Sequence, residues 1–279
     1  MKWIVVAIDF SKCSIHALEY AIEIANKIKS NILMVWVDNS VSSEEVFPEE
    51  ECEIRFERKR HFEKLREKYK DKLTGGKFDF KLRKGKVYHE ITKQAKNVKA
   101  ELLISGTHGI SGFEEFWIGS NAYKIVIHSP CPVITVRYDF KFKSNINKIL
   151  LPIDGSAQTA KKVYYTAKFA KYYNSEAHIL ALYSNSLKSL QRRTDSNVKI
   201  VKKYLEDNNI SYKLHSLVSE NITYATMDYA SKNEIDLIVI MTEQEISPSR
   251  SILGTTAQQI ISNSKTPVLS LHENGFSLE

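Results

Sequence analysis

The chain has 279 residues, of which 43% are hydrophobic and 26% charged, and its formal net charge is +7. At roughly 100–200 residues per domain, this composition predicts two globular domains, and no apolar run approaches the ~18 residues of a membrane helix. Three scattered cysteines, Cys13, Cys52 and Cys131, argue against a disulfide framework. Because no signal sequence precedes the first apolar run, we expect a reduced, cytoplasmic compartment.

Short apolar runs rich in β-branched residues predict buried strands at residues 3–8, 32–37, 102–105 and 133–136. An edge strand is predicted where apolar residues alternate with charges, at Phe78, Phe80 and Leu82. Helical spacing lies between these runs, cleanly at Ala17, Ala21, Ile24, Ala25 and Ile28 and at Val87, Ile91, Ala95 and Val98, and roughly at Phe56, His61, Leu65 and Tyr69. The alternation predicts parallel βαβ crossovers and a three-layer, doubly wound α/β domain.

Lysine and arginine are frequent over residues 55–86, and acidic residues are interleaved with them, among them Glu53, Glu57, Glu63, Glu67 and Asp71. Opposite charges at helical spacing predict a solvated helix face that pairs its own charges. The pI of about 9.0 leaves a polyanion-binding patch as the alternative. The self-paired helix is the favoured interpretation, so we expect no nucleic acid partner.

The second half of the chain repeats the first. Residues 4–11 resemble residues 149–156 at an offset of 145, whereas later anchors match at an offset of 135, among them Gly119-Ser120 with Gly254-Thr255 and Cys131-Pro132-Val133 with Thr266-Pro267-Val268. Strands are therefore predicted again near Ile149, Ala177, Ser211, Leu237 and Val268. We place the domains at residues 1–140 and 145–279, a polar linker at 140–147, and the extra residues of the first copy around 42–60.

A glycine-rich loop follows the strand at 102–105. It contains Gly106 and Gly109, and nine residues later Gly119, Ser120 and Asn121 stand where the next helix should begin. Glycine lets backbone N–H groups approach an anion, and a helix N-terminus favours phosphate. Open α/β sheets bind ligands at this carboxyl edge. The pattern therefore indicates a nucleotide-phosphate site, with an ordinary surface turn as the alternative.

Asp9 ends the first strand on the same edge of the sheet. Its carboxylate suits a ribose hydroxyl or a metal, and equally the N-terminus of the helix that Asp9-Phe10-Ser11 precedes. Val37 ends the second strand and offers an apolar floor for a planar base. Ser120 could cap its helix or donate to a phosphate.

The sequence contains no motif for the other common nucleotide, metal or acyl-transfer sites. The sequence lacks the P-loop pattern and a dinucleotide fingerprint after the first strand. Its histidines show no metal-ligand spacing, and no nucleophile elbow surrounds Ser11 or Ser156. We therefore assign no catalytic residue and no protein-bound metal.

These residues together resemble the universal stress protein family in its tandem-domain form. The resemblance covers nearly all of both copies, and its most specific parts are the Asp9-Phe10-Ser11 strand end, the glycine loop, and residues 129–136, Ser-Pro-Cys-Pro-Val-Ile-Thr-Val. It implies two tandem five-stranded parallel sheets of the adenine nucleotide α-hydrolase-like type, paired through their last strands as an internal pseudo-dimer. A homodimer of such chains is a further expectation.

The resemblance also implies ATP, with Mg²⁺, in the first copy. Asp9 and Val37 would hold ribose and adenine, and the loop residues would hold the phosphates. The full candidate set is Ala7, Asp9, Ser11, Val37, Gly106, Gly109, Gly119, Ser120 and Asn121. Family members typically act as nucleotide-responsive regulators of the stress response rather than enzymes. Two alternatives are a slow ATPase or phosphotransferase, and an interaction scaffold with a vestigial pocket.

The sequence departs from the family pattern at several points. Ile110 stands where a cation often follows the second loop glycine, and Trp36 where histidine is frequent. In the second copy Met241 and Gln244 replace the two loop glycines, and Glu220 replaces Gly85. We therefore expect one nucleotide per chain, held by the first copy.

Overall fold

The structure, a computed structural model, describes residues 2–39, 48–107, 118–142, 145–183, 188–242, 244–247 and 250–272. The first copy consists of β1 (Trp3–Ala7), α1 (Lys12–Ile28), β2 (Asn31–Asp38), α2 (Pro48–Tyr69), β3 (Phe78–Lys84), α3 (Val87–Asn97), β4 (Leu102–Gly106), α4 (Ser120–His128) and β5 (Val133–Val136). The strands and helices follow the predicted order, and the strand ends differ from the predicted ones by at most two residues.

The second copy repeats this order with two additions. It consists of β6 (Lys148–Ile153), a 3₁₀ turn (Thr159–Lys162), α5 (Val163–Tyr173), β7 (Glu176–Tyr183), α6 (Lys188–Asp207), β8 (Tyr212–Val218), α7 (Ile222–Lys232), β9 (Leu237–Met241), β10 (Gln244–Ser247), β11 (Arg250–Leu253), α8 (Thr255–Asn263) and β12 (Val268–Leu271). The additions are the 3₁₀ turn and the antiparallel β10–β11 hairpin, which stands where a second glycine loop would be.

The two copies share one ten-stranded sheet in the order β3-β2-β1-β4-β5-β12-β9-β6-β7-β8. Within this sheet, the strands of each copy pair in parallel, and the copies meet where β12 runs antiparallel to β5, with Leu269 opposite Ile134. The predicted tandem doubly wound fold is therefore confirmed, and so is the pairing through the final strands. Burying both edges within one chain removes two apolar strands from solvent.

Helices cover both faces of this sheet. Buried side chains of α1, α2, α5 and α6 form one continuous core across both copies, and those of α3, α4, α7 and α8 form a second core on the opposite face. No described helix is long and apolar enough to cross a membrane.

The extra residues of the first copy lie between β2 and β3, as predicted. The first residues of β2 and β7, Asn31 and Glu176, differ by 145, whereas those of β3 and β8, Phe78 and Tyr212, differ by 134. The added length is therefore divided among the segment before α2, α2 itself and the connection from α2 to β3.

The buried face of α2 differs from the predicted one. Phe56 is 65% exposed, whereas Phe62, which the sequence pattern did not single out, is fully buried and stacks on Phe80 of β3 with ring centroids 4.9 Å apart. A helix that rests on an edge strand buries only a narrow stripe. Leu65 and Tyr69 have helical spacing from Phe56 as well as from Phe62, so their positions do not show which phenylalanine is buried.

The linker is not the polar spacer that the sequence suggested. Phe140 and Phe142 pack edge-on against Tyr20 of α1, with ring centroids 6.2 and 5.1 Å from it, and Ile146 is fully buried. The segment between the copies thus adds apolar side chains to the shared core.

Candidate functional site

Three neighbouring strands bring the candidate residues to one edge of the sheet. The strand order β2-β1-β4 places the carboxyl end of β1 between those of β2 and β4. Asp9 follows β1, Val37 lies near the end of β2, and Gly106 ends β4. Val37 is buried, and Ala7 packs beside it on the α3–α4 side of the sheet. Both therefore offer apolar surface at this edge.

The turn from β1 into α1 is built by Asp9 and Ser11. The Ser11 N–H donates to Oδ1 of Asp9 (2.9 Å), and the Ser14 N–H donates to Oγ of Ser11 (3.2 Å). Ser11 is therefore the N-cap of α1, and Asp9 stabilises the turn before it. Oδ2 of Asp9 accepts no hydrogen bond from any described residue. One carboxylate oxygen thus serves the turn and the other stays available.

Phe10 holds this turn in an uncommon backbone conformation. Its φ of 64° is left-handed, a region that side-chain-bearing residues seldom occupy. Its ring packs on Phe62 at 4.9 Å and on His61 at 5.3 Å, and the Arg58 guanidinium lies 5.7 Å from the Phe10 ring and 5.7 Å from the Trp36 ring. Side chains of α2 therefore fix the residue between Asp9 and Ser11. The sequence pattern did not reveal this role, because it joins residues about 50 positions apart.

Gly106 is required by the packing of α1. A Cβ at this position would lie 2.7 Å from Sγ of Cys13 and 3.1 Å from its carbonyl carbon. The sequence explained this glycine by close approach to a phosphate, which stays a prediction. The structure supplies a separate reason, because the glycine lets α1 begin directly over the end of β4. Gly109 lies outside the described residues, and so do His108 and Ile110.

Among the described residues, no side chain caps the N-terminus of α4, which begins at the same edge. Gly119 is the N-cap, with φ −57° and ψ 143°, and has no side chain to accept from the first turn. The Gly119 N–H donates to the carbonyl of Thr107 (2.8 Å), which ties the helix start to β4. Ser120 and Asn121 are exposed in the first turn. Ser120 is therefore not the cap. The first N–H groups of α4 have no intrahelical acceptor, and this is the arrangement that binds anions.

The second copy keeps a glycine N-cap at the equivalent helix and differs in the residues that replace the glycine loop. Gly254 caps α8 with φ −56° and ψ 144°, almost the geometry of Gly119. Met241, however, ends β9 as a buried residue at the position of Gly106, and Gln244 begins the β10–β11 hairpin. The helix after β6 starts with a 3₁₀ turn, and regular α5 begins only at Val163.

The carboxylate of Asp154, the equivalent of Asp9 in the second copy, accepts more hydrogen bonds within its turn than Asp9 does. Oδ1 of Asp154 accepts from both the Ser156 N–H (3.1 Å) and the Ser156 hydroxyl (2.7 Å). The Asn197 amide reaches from α6 to the carbonyls of Asp154 and Ser156. Because the serine hydroxyl donates inside the turn, it is not available to a ligand.

Comparison with known proteins identifies one family for both copies. A model described as "Universal stress protein family" matches residues 1–137 and 145–272. Universal stress protein YxiE of Bacillus subtilis is 32% identical over 142 residues, which are 47% of this chain and 96% of that protein. One relative of that size therefore corresponds to a single copy.

Solved structures match the tandem arrangement as a whole. A universal stress protein from Archaeoglobus fulgidus superposes with a TM-score of 0.77 at 18% identity, covering 97% of this chain and 96% of that one. A protein of unknown function from Pseudomonas aeruginosa PAO1 gives 0.70 at 15% identity, covering 98% and 93%. At these identities the likeness concerns the fold alone.

Proposed function

The chain belongs to the universal stress protein family, and we propose that its first copy binds ATP, with Mg²⁺, as a nucleotide-responsive regulator of the stress response. The N-terminus of α4, which no described side chain caps, lies at the same sheet edge as Asp9 and Val37, and this observation carries the proposal. A phosphate chain needs unpaired N–H donors, and these three features lie around one carboxyl edge.

Each part of the edge has a distinct task in this proposal. The apolar surface of Ala7 and Val37 receives the base, and the available oxygen of Asp9 accepts from a ribose hydroxyl. Gly109, Gly119, Ser120 and Asn121 approach the phosphates through their backbone N–H groups or side chains. Ser11 both caps α1 and keeps its hydroxyl proton free to donate toward the ligand. The packing of Gly106 against Cys13 keeps the β1–α1 turn in place.

A regulatory role fits this edge better than fast catalysis. Phosphoryl transfer requires a group that positions the nucleophile and a cation that stabilises the transition state. The described residues named for the site include one carboxylate, Asp9, with one oxygen engaged in a turn. The cation beside that turn, Arg58, packs on the Phe10 and Trp36 rings. Slow hydrolysis is the second candidate, and release of inorganic phosphate from ATP by the purified chain measures it directly.

Titration of the intact chain with ATP and Mg²⁺ tests the proposal. We expect a stoichiometry near one, because the Met241 side chain and the β10–β11 hairpin replace the glycine loop in the second copy. Gly109→Val should abolish binding, since a β-branched side chain crowds the phosphates and costs at least ~1–3 kcal/mol if a left-handed φ is also lost. A stoichiometry near two, or full binding by the Gly109→Val chain, would contradict the assignment.

A further inference from the structure

One lateral end of the molecule concentrates the positive charge. β3 is the terminal strand of the ten-stranded sheet, and α2 and α3 flank it on opposite faces. We call this end, residues 53–99, the basic edge. It carries 17 Lys and Arg against 7 Asp and Glu, a net charge of +10, whereas the whole chain is +7. The remainder of the protein is thus slightly acidic.

The opposite end of the sheet provides an internal comparison. There β8 is the terminal strand, with α6 and α7 beside it. The corresponding segment, residues 188–234, has 8 basic and 6 acidic residues, a net charge of +2. Two ends of nearly the same shape therefore differ strongly in charge, so the fold itself does not require the basic edge.

The charges of α2 are only partly paired with one another. Lys70 forms an ion pair with Glu67. In the described part of the chain, five exposed cations of this helix have no acidic partner: Lys59, Arg60, Lys64, Arg66 and Lys68, the last of which lies over the Tyr69 ring. A self-paired helix face, which the sequence favoured, would have satisfied them. The first four of these, within about two helical turns, contact no aromatic ring of the described residues and form a strong local field.

An exposed aromatic ring lies beside these cations. Phe56 is 65% exposed and precedes Lys59 and Arg60 by three and four residues, so the three side chains share one side of the helix. Phe56 does not contribute to the core, because Phe62 is the phenylalanine of α2 that packs there. Proteins bind single-stranded nucleic acid with this combination, because the cations bind its phosphates and a base stacks on the exposed ring.

We propose that the basic edge binds single-stranded nucleic acid through its phosphodiester backbone, with Phe56 as a stacking platform. The cations come from α2, β3 and α3, so they curve around the end of the sheet, and a flexible strand can follow this surface. A flat anionic bilayer fits less well. Exposed apolar side chains on α2 are confined to Ile54 and Phe56 among its described residues, and Glu57, Glu63 and Glu67 interrupt its exposed face.

Fluorescence anisotropy with a labelled single-stranded RNA of about 20 nucleotides tests this proposal on the full chain. The variant replaces Lys59, Arg60, Lys64 and Arg66 with Gln. The matched control replaces four exposed cations of α6 with Gln, Arg192, Arg193, Lys199 and Lys203. Both variants lose four charges from exposed helix positions, so a general charge effect would weaken both equally.

We expect the α2 variant to lose about tenfold or more in affinity, and the α6 variant less than about threefold. The slope of log affinity against log salt should fall by about 0.7 for each phosphate that is no longer neutralised. Phe56→Ala should weaken binding about fivefold at an unchanged slope, because stacking releases no counterions. Gly109→Val should bind RNA like the parent, which separates this surface from the nucleotide site.

Three results would overturn the proposal. The parent chain could fail to bind RNA at about 50 mM salt. The two charge variants could lose affinity equally. The chain could bind vesicles containing anionic lipid through the α2 cations while leaving RNA unbound, which would assign the surface to a membrane.

Discussion

Sγ of Cys13 lies 2.7 Å from the point where a side chain on Gly106 would begin. The end of β4 and the start of α1 are therefore in direct contact, and the geometry of the β1–α1 turn depends on a glycine in a different strand. Met241, at the equivalent point of the second copy, coincides with a helix that becomes regular only at Val163. A glycine at this position is thus found with a regular start of the following helix in the first copy. A methionine is found with a 3₁₀ start in the second copy.

We predict that Gly106→Ala destabilises the chain by about 1–3 kcal/mol, the usual cost of overpacking a filled interior. Cys13→Ala in the same chain should restore part of the loss, because it removes the nearest atom. Restoration should be incomplete, since the carbonyl carbon of residue 13 still lies at 3.1 Å. Urea unfolding of the parent, both single variants and the double variant measures the coupling. Strict additivity would show that the two residues do not interact.

The two phenylalanines of α2 should differ sharply in their contribution to stability. Phe62→Ala removes a fully buried ring and should cost about 3–5 kcal/mol, whereas Phe56→Ala should change the free energy of unfolding by less than about 0.5 kcal/mol. The same unfolding experiment compares them. Equal losses would place Phe56 in the core, as the sequence pattern alone suggested.

That contrast shows where sequence reasoning succeeds and fails. Strands buried on both faces, such as β1 and β4, appear as unbroken apolar runs that permit one assignment. On α2, Phe56 and Phe62 are both compatible with the positions of Leu65 and Tyr69, and only the partner ring, Phe80, decides between them. Local periodicity cannot supply a partner from another element.

The candidate site divides in the same way. The strand-end positions of Asp9 and Val37 follow from the parallel topology, which the repeat made predictable. The left-handed backbone of Phe10 was not predictable, because contacts with α2 stabilise it. The β10–β11 hairpin was not predicted either. The loop that precedes α8 adopts a strand pair that contacts α4 of the other copy, a long-range contact that no local pattern shows.

Asp9 and Asp154 occupy equivalent turns and should differ in their effect on ATP affinity. Asp9→Asn retains an oxygen for the Ser11 N–H and loses the charge that strengthens a hydrogen bond to ribose, so affinity should fall about tenfold. Asp154→Asn should leave affinity within about twofold of the parent. Calorimetric titration with ATP measures both.

Titration with 2′-deoxy-ATP separates the ribose role from a purely structural one. If Asp9 accepts from the 2′-hydroxyl, the parent should bind the deoxy nucleotide more weakly, and Asp9→Asn should add little further loss. A full additional loss would instead mean that Asp9 acts only by shaping the turn.

His178 should make the stability of the second copy depend on pH. The imidazole is almost fully buried. Its Nε2 lies 3.0 Å from Glu176 and its Nδ1 lies 3.0 Å from the Tyr229 hydroxyl. Burial lowers the pKa of His178 below its ordinary 6.5, and the charge of Glu176 opposes this only in part. The unfolded chain therefore takes up a proton more readily than the folded chain.

The resulting stability is present above pH 6.5 and is lost as the pH falls from there through the lowered pKa of the folded state. We predict that unfolding midpoints drop between about pH 7.5 and pH 5.5, and that His178→Gln reduces this drop, because glutamine does not titrate. His215, an exposed histidine 5.3 Å from the same Tyr229 ring, is the matched control, and His215→Gln should leave the drop unchanged. His272, whose pKa burial also lowers, accounts for part of the drop that remains in the His178 variant. An identical pH dependence in the parent and the His178→Gln chain would show that this imidazole is not linked to folding.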